Sequence, residues 1–148
     1  MKKIPALLSL FFVFSFSVFS EDFFSVNRQK RVSPDSKVSL DFTKMNYNMA
    51  SGVIFDMMIA PQKYKNKTMK IHGQFYTEVH SDKRIFAILI WDLTGCCPTG
   101  VTIVPLSSMK FPSDFPKQDE YVTVTGILEI FEIDGEEALC LVAENWSR

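Results

Sequence analysis

The chain has 148 residues, of which 47% are hydrophobic and 22% charged, and its formal net charge is -1. These values describe about one globular domain and exclude a disordered or strongly charged chain. Because a near-neutral chain has no basic field to neutralise a phosphate backbone, we expect no nucleic-acid partner. Three cysteines are too few for a disulfide-rich scaffold, but two are adjacent, so the chemistry of that pair is the main question.

The N-terminal 20 residues have the pattern of a secretory signal peptide. Lys2 and Lys3 precede an apolar run over residues 4–19, and Ser20 ends this run before an acidic pair. A retained membrane anchor is the alternative, but it needs about 20 apolar residues and usually fewer serines. The absence of a cysteine near the cleavage point gives no support to a lipid anchor. We therefore expect removal of residues 1–20 and a periplasmic or secreted protein with no stable membrane anchor.

Removal of the signal peptide takes away two lysines and leaves 14 basic and 17 acidic side chains. The remaining chain is long enough to bury a core without covalent crosslinks. Residues 21–37 are polar and contain Pro34, so we predict a flexible linker there. Attraction of its small basic cluster to an anionic surface is the alternative. The ordered domain is expected over residues 38–148.

A short helix is predicted near the start of this domain, after a brief extended stretch over residues 38–42. Ser51 can cap the helix, apolar side chains recur at helical spacing as far as residue 60, and Pro61 prevents its continuation. The surrounding sequence is rich in methionine. A soft-metal ladder is one interpretation, but methionine in a helix is more often adaptable core packing. We therefore predict that a helix over residues 51–60 covers one end or face of the domain.

The rest of the domain has the two-residue alternation and the turn signals of β-strands. Five strands are predicted, over residues 67–80, 84–93, 101–104, 120–131 and 137–143. Gly73 and Gly126 occupy the same point in two of them, where a missing side chain permits the sharp bend that a small barrel needs. We predict a mainly β fold, a five-stranded OB-like Greek-key barrel with one short N-terminal helix. Another small antiparallel sandwich is the alternative.

The candidate site is the adjacent pair Cys96-Cys97, which lies between two glycines and directly before a proline. That composition predicts a tight, exposed turn. If the first two strands form a hairpin, His72 lies opposite Trp91 or Asp92, on the rim that leads to the pair. His72, Asp92, Cys96 and Cys97 would then be a ligand set that zinc accepts, whereas copper(I) prefers the thiolates alone.

Other states of the thiols remain open. One of the pair can bond to Cys140 as a structural disulfide, and the chain would then be a non-catalytic protein- or ligand-binding module. A vicinal disulfide or a free redox pair is a further alternative, but the turn does not open a helix whose N-terminus would stabilise a thiolate. An exposed strand position is an ordinary explanation for His72. The sequence has neither a nucleophile elbow nor a phosphate loop, and we expect no enzymatic activity.

Four elements resemble a group of small bacterial exported proteins and lipoproteins of unassigned function. They are Phe55-Asp56-Met57-Met58, Pro61-x-x-Tyr64-x-x-Lys67, Gly73-x-Phe75 and Asp92-x-x-x-Cys96-Cys97-x-x-Gly100. The similarity covers residues 50–143, and it implies an OB-like barrel and a link to transition-metal handling. Thr102 and Ile103 stand where the group has an acidic and an aromatic residue, so an acidic ligand of the group would be missing. We thus expect an exported accessory protein that binds zinc or copper or acts as a thiol site, with a metal ion or another envelope protein as partner.

Overall fold

The structure is a computed structural model of the 148-residue chain, and it describes residues 22–32 and 37–148. The expected signal peptide, residues 1–20, lies outside the described residues. Within the described ranges, no helix has the length and apolar character needed to cross a membrane.

The described residues form six β-strands and one α-helix. Strand β1 covers Leu40–Asp41, and helix α1 covers Tyr47–Ile59. The later strands are β2 (Thr68–His80), β3 (Lys83–Trp91), β4 (Pro98–Pro105), β5 (Tyr121–Ile133) and β6 (Glu136–Ser147). The helix is flanked by short 3-10 turns over Phe42–Lys44 and Pro61–Lys63.

Strands β2 to β6 form a closed barrel. β2 pairs with β3, β3 with β4, β4 with β6 and β6 with β5, and β5 pairs back with β2. All of these pairs are antiparallel except β4–β6, which is parallel. This is the strand order of an OB-fold, so the predicted mainly β, five-stranded OB-like barrel with one short helix is confirmed. β1 adds to β2 in parallel.

Two glycines lie where the barrel strands bend. β2 pairs with β5 on one edge as far as Gln74 and with β3 on the other edge from Gln74 onward, so Gly73 lies directly before the pairing with β3 begins. A Cβ atom at Gly73 would lie 2.4 Å from the carbonyl oxygen of Leu89, and one at Gly126 would lie 1.8 Å from that of Val142. The β5–β6 register also shifts beside Gly126. The close strand approaches at both bends therefore depend on the absence of a side chain.

The core lies inside the barrel, because alternate residues of each strand face inward. Its fully buried side chains include Met69, Ile71, Phe75, Phe86, Ile88, Val124, Leu128 and Leu141. The loop between β4 and β5 contributes Phe115, whose ring stacks on that of Phe86 with centroids 4.6 Å apart. This loop therefore packs onto the same core as the strands.

Helix α1 begins four residues earlier than predicted. Its cap is Asn46 instead of Ser51, because the Asn46 side-chain oxygen accepts the N–H of Met49 at 2.9 Å. Met57 is buried, but Met49 and Met58 are 58% and 75% exposed. The interpretation of the methionines as core packing is therefore correct for Met57 and wrong for the two exposed side chains.

Residues 22–32, which we call the N-terminal segment, pack along the barrel, in contrast to the flexible linker expected for residues 21–37. Two of them form isolated parallel bridges, Phe23 with Arg84 and Val26 with Leu106. The buried carboxylate of Glu144 accepts the backbone N–H groups of Arg31 and Val32 at 2.7 and 2.6 Å. This segment is therefore fixed by both strand-like pairing and a carboxylate of β6.

Candidate functional site

The connection between β3 and β4 presents the cysteine pair. β3 ends at Trp91 and β4 begins at Pro98, so Cys96 and Cys97 lie between two strands that pair with each other. Both side chains are exposed and both thiols are free. Gly95 adopts a φ of 69°, a left-handed conformation that glycine enters without strain. The predicted exposed cysteine turn is confirmed.

Asp92 holds this turn in place. Its Oδ1 atom accepts the N–H of Cys96 at 2.9 Å, and its Oδ2 atom accepts the hydroxyl of Thr94 at 2.8 Å. The pKa of the Asp92 carboxyl lies below its usual value. The hydrogen bond from Thr94 is the largest cause of this shift, and backbone hydrogen bonds from the turn lower the pKa further. The ionised carboxylate of Asp92, the first residue of the turn, therefore stabilises the turn as a hydrogen-bond acceptor.

Tyr47 joins helix α1 to the same turn. Its hydroxyl donates a hydrogen bond to the carbonyl oxygen of Cys97 at 2.8 Å. Desolvation, followed by the charges of Asp92 and Cys97, raises the pKa of the Tyr47 phenol, which keeps the hydroxyl protonated as a donor. The sequence analysis missed this residue, because the helix starts earlier than predicted and the contact joins residues 50 positions apart.

The surroundings of the pair disfavour the thiolate form of Cys97. The pKa of the Cys97 thiol is raised. A hydrogen bond with the Cys96 side chain is the largest cause, and desolvation and the negative charge of Asp92 raise the pKa further. Reactive cysteines need a lowered pKa. The pKa of the Cys97 thiol is therefore shifted in the opposite direction.

His72 lies outside the turn. The predicted register of the hairpin is confirmed from Gln74 to His80. β2 bends at Gly73, however, and on the near side of the bend His72 pairs with Thr123 of β5. The His72 Nδ1 atom lies 3.0 Å from the Thr123 hydroxyl oxygen. The pairing of β2 with β3 ends at Gln74, so the expected pairing of His72 with Trp91 or Asp92 is not part of the observed register.

The four predicted metal ligands do not form one cluster. Among residues 22–32 and 37–148, no group of three or more His, Cys, Asp or Glu side chains could hold a metal ion. His72 is bonded on β5, and Asp92 accepts hydrogen bonds within the turn. What the structure brings together is the adjacent pair Cys96 and Cys97, two soft sulfur donors next to a carboxylate.

The alternative of a disulfide to Cys140 is wrong, since all three cysteines carry free thiols. Cys140 is buried in a small apolar cluster with Val104, Leu106 and Val142. Leu141 faces Ile103 in the parallel β4–β6 register. Cys140 therefore lies beside Thr102, about five residues or roughly 16 Å along β4 from Cys97, whereas a disulfide needs Cα atoms within about 7 Å. Burial raises the pKa of the Cys140 thiol to about 12.

A cleft of about 590 Å³ opens beside the turn, where β2 and β3 separate. Gln74 and Leu89 are the last residues that the two strands pair, and beyond them the end of β3 leaves the first half of β2. The side chains around the cleft include Tyr47, Lys70, His72, Trp91, Tyr121 and Thr123. Tyr47 thus lines the cleft and also contacts the cysteine turn. Periodicity alone did not indicate this cleft, because the strand separation follows from barrel closure.

No protein-family profile matches the sequence, and no curated protein matches it significantly. A family is therefore not identified. Of the resemblance to small exported bacterial proteins, the five-stranded mixed barrel and the adjacent cysteine pair are what the structure contains.

Proposed function

We propose that the protein is an exported, non-catalytic accessory protein that binds copper(I) between the thiolates of Cys96 and Cys97. The observation that carries the proposal is a pair of free, exposed thiols on adjacent residues of an anchored turn. Soft thiolate ligands favour copper(I). Zinc, the other metal expected from the sequence, takes four ligands, so it would need further donors from another molecule. Export is supported by the signal-like pattern of residues 1–20.

The turn is organised before the ion arrives. The N–H group of Cys96 is held by Asp92, and the carbonyl group of Cys97 is held by Tyr47. Less conformational freedom is therefore lost on binding than in an unanchored loop. The carboxylate of Asp92 also favours a cation beside the sulfur atoms. An envelope protein that delivers or receives the ion is the partner that fits such an exposed position.

Binding must release protons from the thiols. Because the pKa of Cys97 is raised, this thiol is protonated at neutral pH, and the metal has to displace its proton. The apparent affinity for copper(I) should therefore increase with pH, by up to about tenfold per pH unit for each proton displaced. An affinity independent of pH between 6 and 8 would contradict thiolate ligation by this pair.

Anaerobic titration of the reduced protein with copper(I), in competition with the chromogenic chelator bicinchoninate, tests the proposal. We expect one tightly bound ion per chain and loss of this ion in Cys96→Ser and in Cys97→Ser. Cys140→Ala is the matched control and should retain the stoichiometry, because its thiol is buried elsewhere. Unchanged binding in a Cys96→Ser/Cys97→Ser double variant, or no binding by the native chain, would disprove the assignment.

A further inference from the structure

We infer that the cleft between β2 and β3 is a second binding site, which takes an acidic sugar unit. Two exposed aromatic rings, a row of hydrogen-bonding side chains and one lysine meet at a gap in the barrel wall. The inference goes beyond the proposed copper site and is independent of it, because neither cysteine lines the cleft.

The gap is built into the strand pairing. On one edge of β2, β1 pairs with Met69 and Lys70, and β3 pairs from Gln74 onward. Between these two pairings, Ile71 and His72 have no strand partner on that edge among the described residues, whereas Gly73 lies close to the backbone of Leu89. Backbone N–H and C=O groups at such an opening are natural hydrogen-bond partners for a bound molecule. The cleft is therefore a place where a polar ligand can complete the sheet.

An aromatic and polar row crosses the cleft. The indole N–H of Trp91 donates to the Gln74 side-chain oxygen at 2.6 Å, and Gln74 faces Tyr121 in the β2–β5 register. The ring of His72 lies 6.0 Å from that of Tyr121. Trp91 is 37% and Tyr121 56% exposed. Large rings held in place but left in solvent provide apolar faces beside polar groups, which suits the mixed C–H and hydroxyl surface of a sugar.

The charge of the lining favours an acidic ligand. Lys70 is the one formally charged side chain among the described residues around the cleft, although the chain carries 17 acidic residues. A carboxylate on the ligand would interact favourably with Lys70. A nucleic-acid backbone needs several cations in a row, which this cleft does not offer. The hydroxyl groups of Thr43, Thr123 and Ser147 can donate to and accept from sugar hydroxyls.

The size of the cleft is consistent with a small ligand. Its volume of about 590 Å³ falls within the range of about 300–1,000 Å³ that is usual for ligand sites. We expect one acidic unit to occupy the cleft, while neighbouring units of a chain extend into solvent. A monosaccharide should therefore bind more weakly than an oligosaccharide, but at the same residues.

Isothermal titration calorimetry with a hyaluronan tetrasaccharide, in which glucuronic acid alternates with N-acetylglucosamine, tests the inference. A chitin tetrasaccharide of N-acetylglucosamine is the neutral probe of equal length, and glucuronic acid is the monosaccharide probe. We expect saturable binding of the acidic tetrasaccharide, several-fold tighter than the neutral one and weakened by salt. No saturable binding of the acidic probe, equal affinity for both tetrasaccharides, or tighter binding of adenosine monophosphate would overturn the inference.

Single substitutions test which residues of the cleft bind the acidic sugar. Trp91→Ala and Tyr121→Ala should each lower the affinity for the acidic probe at least tenfold, and Lys70→Gln should reduce it to that of the neutral probe. Tyr76→Ala is the matched control, because this tyrosine of β2 bonds Glu78 and does not line the cleft. Full affinity in both aromatic variants would disprove the site. The Cys96→Ser/Cys97→Ser variant should bind the sugar like the native chain, so the copper and sugar assignments can fail separately.

Discussion

The three cysteines occupy two opposite environments. Cys96 and Cys97 are exposed in a turn whose anchoring side chains lie beside them, whereas Cys140 is buried on β6 in a cluster with Val104 of β4. Val26 of the N-terminal segment packs against the cluster that contains Cys140. The same side chain is thus a small hydrophobic group in one place and a displayed sulfur donor in the other. The contrast shows that strand position and neighbours, more than residue type, determine which thiol a ligand can reach.

Two carboxylates show the same contrast between a side chain in a surface turn and a buried one. Asp92 is near the surface and accepts hydrogen bonds within four residues of itself. Glu144 is 1% exposed and accepts N–H groups from a segment more than 110 residues earlier in the chain. Its Oε1 atom also lies 3.4 Å from the guanidinium of Arg28, which pairs with Glu129 as well. Asp92 shapes a local turn, while Glu144 joins distant parts of the fold.

Loss of the Glu144 carboxylate should have the greatest effect on stability. Glu144→Ala leaves two backbone N–H groups without their acceptor and leaves Arg28 with a single carboxylate partner. Removal of one partner from a buried ion pair costs about 3–5 kcal/mol, and we expect that loss in the free energy of unfolding measured with urea. Glu132→Ala, on the exposed hairpin, is the matched control and should be neutral. A loss below about 1 kcal/mol in Glu144→Ala would mean that the segment is not fixed by this residue.

Serine substitutions should separate the two kinds of cysteine. Cys140→Ser places a hydroxyl in an apolar cluster, and we expect a loss of about 1–3 kcal/mol in the free energy of unfolding. Cys96→Ser and Cys97→Ser should leave the free energy of unfolding unchanged, because both side chains are exposed. If all three variants are equally destabilised in urea, the distinction between a packed and a displayed thiol fails.

A smaller effect is expected from removal of the charge beside the turn. Asp92→Asn keeps an oxygen acceptor for the N–H of Cys96 but removes the negative charge that contributes to the raised pKa of Cys97. The pKa of Cys97 should therefore fall, and its rate of reaction with iodoacetamide at neutral pH should increase. Peptide mass spectrometry across a pH series gives the midpoint of the rate profile. Asp134→Asn, on another hairpin, should not move this midpoint, and an unchanged or higher midpoint in Asp92→Asn would contradict the stated cause.

Most of the barrel could be predicted from alternation, because one face of each strand is buried and the other is not. The strand bounds differ most at the end of β6, which continues to Ser147 although the prediction stopped at residue 143, and at the start of β4, which begins at Pro98 and not at residue 101. Glu144 is polar, and alternation counts a polar side chain as solvent-facing, but here it is buried beneath the N-terminal segment. The packing of residues 22–32 was missed for the same reason, since their partners are distant in sequence.

The site was predictable only where its signals are local. Glycine and proline next to Cys96-Cys97 indicate an exposed turn without any knowledge of the fold. The position of His72 depends on the bend at Gly73, where the pairing of β2 with β3 ends while its pairing with β5 continues. The role of Tyr47 depends on where the helix packs. Both are tertiary effects, which sequence spacing does not contain.

Thiol counting by mass spectrometry tests whether the pair is displayed and the third cysteine is packed. The reduced protein would be treated anaerobically with iodoacetamide, once folded and once in denaturant, and the modified residues identified by peptide mapping. We expect two additions in the folded protein, at Cys96 and Cys97, and a third at Cys140 only after unfolding. Rapid modification of Cys140 in the folded state, or protection of Cys96 and Cys97, would contradict the account.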